Sequence, residues 1–368
     1  MDSFIKTNFD KLHSMPELGL CEVRTSAYLA DCLEELGYQV KRNIGNTGIL
    51  GVIDSGVPGP ALALRADMDA LPFEIDGEST AIHACGHDAN CTMVLTAAKQ
   101  AVRRGIRTGK LYILFQQAEE VSGKGAYVMA QTGAFSEIQE MVAVHLRPSQ
   151  DAVLGEAAAG VAHSAAYFVD IVIKGKTAHG SRPFLGVNAI EIASAIIQAA
   201  NGIRENVGFS FSLKPTQIHT AGGARNSIPD TCHLGFDLRG ETNEIADSII
   251  QKLQKICDHT AAMYGGAIEA FTYGGVPAAI LDPEVTSLCD QAINRVLGKS
   301  LGIVKTTGGD DVYYFSQICG IRMGYIGIGA NVEYGLHHPR MCFDPHAMEI
   351  GADILEQVVD LRLGLGEK

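Results

Sequence analysis

AYFVDIVIKG, residues 166–175, is the stretch that decides the fold. Apolar and polar residues alternate along it, the period of a strand with one buried face and one wet face. The next hundred residues continue in a consistent order. NAIEIASAIIQAANGI (188–203) has the spacing of an amphipathic helix. TQIHTAGG (216–223) and TCHLGFDLRG (231–240) read as strands, NEIADSIIQKLQKICDHTAAMYG (243–265) as a long helix and AIEAFTYGG (267–275) as a last strand. The order is β-α-β-β-α-β, that of a ferredoxin-like unit.

The chain before residue 165 reads differently. TGILGVI (47–53), ALALRADMD (61–69), KLYILFQQAEE (110–120) and MVAVHLRP (141–148) are strand-like runs, the later ones apolar enough to be buried strands. Helical patterns lie among them at 22–37, closed by Gly37, and at 91–102. Strands interspersed with helices predict an α/β layer architecture with a mostly parallel sheet. The chain of 368 residues exceeds one ordinary core. We therefore expect a first domain at 1–164, an inserted domain at 165–275 and a return to the first at 276–368. No internal repeat or low-complexity segment is present.

Composition narrows the function classes. The chain is 46% apolar and 19% charged, which is ordinary for a folded protein. Its net charge of −13 repels phosphate backbones, so nucleic acid is not an expected partner. No apolar run is long enough to span a membrane, and residues 1–17 lack the basic start and apolar core of a signal peptide. The nine cysteines form no C-x-x-C pair, and the expected compartment is a reducing cytoplasm.

Chemistry concentrates in HACGHD, residues 83–88. Cys85 and His87 lie two apart, a spacing at which a turn can bring both onto one ion. A buried cysteine that is only a small hydrophobe explains the thiol equally well. Further candidates sit at the ends of the predicted strands: Asp67 and Asp69, then Glu119 and Glu120, then His145. Ligands of open α/β sheets gather at carboxyl ends of strands. Adjacent carboxylates repel, and a cation relieves this, one ligating while the other serves as base. His337 and His338, in GLHHPRM (335–341), complete a set with too many ligands for one tetrahedral ion and enough for two sharing a bridge.

The blocks HSMPELGLCE (13–22), LRADMDALP (64–72), HACGHD (83–88), QQAEE (116–120), VAVHLRP (142–148), GKTAHGSRP (175–183), GGARNSIPD (222–230) and LHHP (336–339) span nearly the whole chain. In that order they resemble the amidohydrolase branch of the zinc aminopeptidase/aminoacylase superfamily, which includes hippurate hydrolases, N-acyl-amino-acid amidohydrolases, aminobenzoyl-glutamate hydrolases and auxin-conjugate hydrolases. The resemblance implies a catalytic domain of zinc-peptidase type with an inserted ferredoxin-like lid. It implies two divalent metal ions (zinc, manganese, cobalt or nickel) on Cys85, His87, Glu120, His145 and His337, with Cys85 as the bridge. His337 is preferred to His338 because the family pattern is Leu-His-x-Pro. Glu119 falls on the general base, and Asp67 on an acidic residue that orients the site. His179, Arg225 and Asn226 fall on lid positions that polarise the scissile carbonyl or hold the substrate carboxylate. The implied reaction is hydrolysis of an N-acyl amino acid, and a homodimer or higher homo-oligomer is expected.

Three departures stand out. Asn90 replaces a histidine, TGGDDVYYF (307–315) carries Asp310 and Asp311, and Arg225 precedes Asn226. Arg225 could clamp a substrate carboxylate or pair with an internal acid. Competing readings are a dipeptidase or carboxypeptidase of the same fold, a non-catalytic binding protein, and a thiol enzyme using Cys85 with His87.

Overall fold

The computed structural model describes residues 2–121, 124–205, 208, 210–220 and 223–367. It divides into two compact units: 1–162 with 280–305 and 311–368, and 163–279 with 306–310. Among the described residues no helix is long and apolar enough to cross a membrane.

The first unit is built on a seven-stranded sheet. Its four central strands, Lys110–Gln116, Ala61–Asp67, Glu140–Pro148 and Arg322–Val332, run parallel in that spatial order. The mostly parallel expectation describes this centre. The flanks are antiparallel: Gly48–Asp54 and Gln39–Ile44 on one side, the short Ala157–Ala158 on the other. Every residue of Ala61–Asp67 is buried, which is why its sequence shows no alternation. Helices Ser3–His13, Val23–Glu35, His87–Arg104, Pro283–Leu297 and His346–Leu363 share one core with the sheet, through Leu12, Leu29, Met93, Ile293 and Leu355 among others. Pro283–Leu297 shows local coding clearly. The Asp282 side chain accepts from the Glu284 and Val285 amides, proline stands in the first turn, and Gly298 closes the helix at φ +76°.

At the amino-terminal end of the parallel strands, the buried Glu140 carboxylate takes both Arg322 and Arg362. The Arg362 Nε bond is 2.5 Å. The clamp joins strands Glu140–Pro148 and Arg322–Val332 to helix His346–Leu363. Glu140→Ala leaves Arg362 without its acid and Arg322 with only the exposed Glu284. A stability loss of about 2–3 kcal/mol is expected, below the full cost for a buried pair because both arginines are about one third exposed. A chemical-denaturation midpoint shift equivalent to less than about 0.5 kcal/mol, the size of an ordinary surface substitution, would sink this account.

The second unit is a four-stranded antiparallel sheet in the order Phe211–Thr220, Thr231–Gly240, Ala165–Lys174, Ala267–Val276. With helices Ala189–Ala200 and Asn243–Met263 this is the β-α-β-β-α-β order read from the sequence. Val169, Ile171 and Ile173 point into its own core, with Ile192, Ile196, Phe236, Ile249 and Leu253. Phe168 and Asp170, between them, are exposed. Residues 306–310 belong with this unit: the Ser164 amide donates to the Thr306 and Gly308 carbonyls.

Candidate metal centre

Cys85 and His87 face the same place because of the residue between them. Gly86 has φ +87°, a left-handed turn that costs glycine little, and His87 then opens a helix. Behind them, the Asp69 carbonyl lies 2.9 Å from His87 Nδ1. A carbonyl only accepts, so Nδ1 carries a proton and Nε2 is the nitrogen left to face an ion. His145 is set the same way, with Nδ1 2.7 Å from the Leu146 carbonyl and Nε2 3.5 Å from Cys85 Sγ. His337 arrives from the far end of the sequence. Its amide donates to the Ala84 carbonyl at 2.7 Å, its φ is +64°, and Nε2 lies 3.2 Å from Glu120 Oε1.

Two triads result. Cys85, His87 and His145 form one; Cys85, Glu120 and His337 form the other. Within each, the donor atoms lie inside 4.8 Å of one another. His87 with Glu119 and Glu120 forms a third grouping. His87 Nε2 and Glu120 Oε1 are buried with no hydrogen-bond partner, and the Glu120–His337 approach is close but not aligned as a hydrogen bond. Two ligands about 2.0–2.3 Å from a tetrahedral ion stand about 3.3–3.8 Å apart. The 3.5 Å Sγ–Nε2 and 3.2 Å Nε2–Oε1 separations sit near that range. Donor atoms gathered this closely in a thiolate, imidazole and carboxylate set, buried or half-buried apart from the exposed His337, fit divalent cations.

Charge in the cluster is mutually supporting. Burial disfavours the Cys85 thiolate, but His145 and His87 outweigh it and draw the thiol down to about 6. The Cys85 sulfur and then the Glu120 carboxylate push His337 up to about 10. Burial also opposes Asp67, yet His87 and Arg65 hold it far below the usual carboxylate range.

Asp67 is fully buried beside the triads, its Oδ2 3.8 Å from His87 Nε2. The fully buried Arg65 donates to Asp67 at 2.8 Å, and Asn90 donates to its other oxygen at 2.9 Å. Asn90 thus serves Asp67 on one side and accepts the Leu146 amide on the other at 3.3 Å. Asp311 accepts from Gln116 Nε2 at 2.6 Å and from the Ala126 amide at 2.7 Å. It belongs to the support of the Gln116–Glu120 segment.

Sequence reasoning grouped Asp69 with the strand-end candidates without a supporting role, and passed over Glu22. The Asp69 carboxylate accepts the amides of Glu119 (3.1 Å) and Glu120 (2.9 Å), while its carbonyl fixes His87. Glu22 accepts the Ala118 amide at 2.7 Å. Ala118 holds φ +50°, a left-handed conformation that costs a non-glycine residue roughly 1–2 kcal/mol. The signal for Asp69 was its place two residues after Asp67, on the same side of an extended segment; Glu22 carried none beyond its block.

His179, Arg225 and Asn226 lie in the second unit and are exposed. A two-stranded pairing of Ala178–His179 with Ser227–Ile228 brings them near one another, and the Gly180 amide donates to the Asn226 carbonyl at 2.7 Å. The Ser181 amide donates to His179 Nδ1 at 3.2 Å, so Nε2 is the proton-bearing nitrogen. Among the described residues Arg225 makes no ion pair. Gly222, one of the glycines noted in that block, lies outside the described residues.

Comparison with known proteins identifies the family. Residues 63–361 match the model of peptidase family M20/M25/M40. The chain is 30% identical to the N-acetyl-L-cysteine deacetylase of Bacillus subtilis, over 92% of this chain and 83% of that protein. It is 28% identical to thermostable carboxypeptidase 1 of Saccharolobus solfataricus, over 93% and 91%. In fold it is similar to the YxeP protein of Bacillus subtilis, a dinuclear metal binding peptidase (TM-score 0.82, 24% identity, 98% of this chain and 97% of that one). The chain belongs to peptidase family M20/M25/M40. It is a hydrolase that cleaves amide bonds.

Proposed function

We propose that this protein hydrolyses the amide bond of N-acyl amino acids, with two divalent cations held by Cys85, His87, His145, Glu120 and His337. The observation that carries the reading is the pair of triads sharing the Cys85 sulfur, with Glu119 beside them. Divalent cations at such a site supply Lewis acidity and lower the pKa of water. The residues do the rest. Glu119, with Oε2 3.9 Å from His87 Nε2, takes a proton from the attacking water and delivers it to the departing amine nitrogen. Asp67 and Asp69 hold the ligands and the base in register. His179 offers its Nε2 proton to the carbonyl oxygen as negative charge develops there. Arg225 and Asn226 recognise the substrate carboxylate, Arg225 through its planar fork of donors.

A carboxypeptidase activity is the second reading, favoured by the 28% identity to an enzyme of that name. A thiol mechanism built on Cys85 with His87 leaves the convergence of Glu120, His145 and His337 without a purpose. One experiment separates all three. Metal-stripped protein is given zinc, manganese, cobalt or nickel and assayed on N-acetyl and N-benzoyl amino acids, dipeptides and N-blocked peptides. Metal-dependent release of free amino acid from the N-acyl series is the expected result. Preference for N-blocked peptides selects the carboxypeptidase, and full activity without metal selects the thiol enzyme. A folded protein inert with every metal would overturn the hydrolytic assignment to these substrates.

A further inference from the structure

Resting on that reading of Glu119 as the base, we propose that Glu22 is a positioning residue that holds Glu119 in place through the backbone of Ala118. Glu22 lies 96 positions from Ala118 and is fully buried. Its two oxygens divide their work. Oε1 accepts the Ala118 amide at 2.7 Å, and Oε2 accepts the Thr47 hydroxyl at 2.7 Å. Thr47 is fixed in turn, its amide donating to Gln117 Oε1 at 2.8 Å. The carboxylate is thus braced against the segment it supports.

The segment needs the brace. Ala118 sits at φ +50°, and an alanine released from external hydrogen bonds relaxes to negative φ. That rotation, one residue before Glu119, would swing the base and disturb the two amides held by Asp69. Gln116 and Gln117 are tied by their side chains, and Glu119 and Glu120 by their amides. Ala118 has a side chain with no polar atom; its carbonyl accepts the Val121 amide at 3.3 Å within the same turn, and its amide, donating to Glu22, ties the buried residue to a distant part of the unit. A misplacement of about an ångström can cost on the order of 100-fold in rate.

The test compares wild type, Glu22→Ala, Glu22→Gln and the double variant Glu22→Ala/Ala118→Gly. Glu22→Ala is expected to lower kcat roughly 10–100-fold, with KM within about threefold and metal content unchanged. Glu22→Gln retains an acceptor for the Ala118 amide and stays within about fivefold of wild type. Glycine adopts positive φ without strain, so the double variant recovers part of the loss. Hydrogen–deuterium exchange on metal-free protein gives a readout apart from activity: amides 116–120 exchange faster in Glu22→Ala, the remainder of the first unit does not. If Glu22→Ala does not fold, Glu22→Met fills the volume without an acceptor and takes its place. An unchanged kcat, unchanged exchange at 116–120, or a Glu22→Gln variant as slow as Glu22→Ala overturns the proposal. A wild type inert on all substrates overturns the hydrolase reading instead, and the exchange comparison then decides alone whether Glu22 holds this turn.

Discussion

Glu119→Gln should lower kcat by roughly 10²–10⁴-fold, the range a general base contributes, while the protein keeps its metal. Glutamine preserves shape and the backbone contacts to Asp69, which involve the residue 119 amide and not its side chain. It cannot take a proton. The five proposed ligands are untouched. Turnover of an N-acyl amino acid and elemental analysis of the same preparation check both halves. A variant within about tenfold of wild type would remove Glu119 from the chemistry. A variant that loses metal would make it a ligand.

Cys85→Ala should have the other large effect, and on binding before rate. One sulfur is common to both triads, so its loss weakens both at once. Metal affinity is expected to fall by more than the 10–100-fold typical of a support residue, with activity at background. Cys85→Asp, which returns an anionic group able to bridge, should regain metal that Cys85→Ala loses. A thiol nucleophile predicts otherwise, since aspartate would restore nothing. Competition with a chelating dye gives the affinities directly. Full metal content in Cys85→Ala would dismiss the shared-ligand arrangement.

Much of the architecture was legible in the sequence, for identifiable reasons. The second unit announces itself through its first strand, which has one wet face, so Val169, Ile171 and Ile173 alternate with Phe168, Asp170 and Val172. The candidate metal ligands were readable because they are rare residue types: His145 interrupts an apolar strand, and the others cluster just beyond strand ends or in a short histidine pair. The central strand Arg322–Val332 was not. Its run RMGYIGIGANV is broken by glycines whose reason lies elsewhere in the chain: a Cβ on Gly329 would stand 2.0 Å from the Val153 carbonyl oxygen. The edge strand Gln39–Ile44 is exposed at most positions and shows neither period. The supporting contacts of Arg65, Asp311 and Glu22 escaped for a different cause. Their hydrogen bonds join residues from 2 to 195 positions apart, and such pairings leave no repeat in the sequence. The passage of 306–310 into the second unit is equally non-local.

The place of Arg322–Val332 in the sheet has a consequence for how the protein is made. It lies directly beside Glu140–Pro148, yet the whole contiguous run 163–279 is synthesised between them. On the ribosome the first half of the sheet therefore waits with one flank of Glu140–Pro148 open, while the second unit, with its own core, assembles first. His337 follows that late strand by only a few residues. The second triad cannot close until almost the entire chain has emerged, so metal capture reports a finished molecule. Nascent chains halted before residue 322 should hold their metal weakly or not at all, and the waiting strand edge is where a chaperone would be needed.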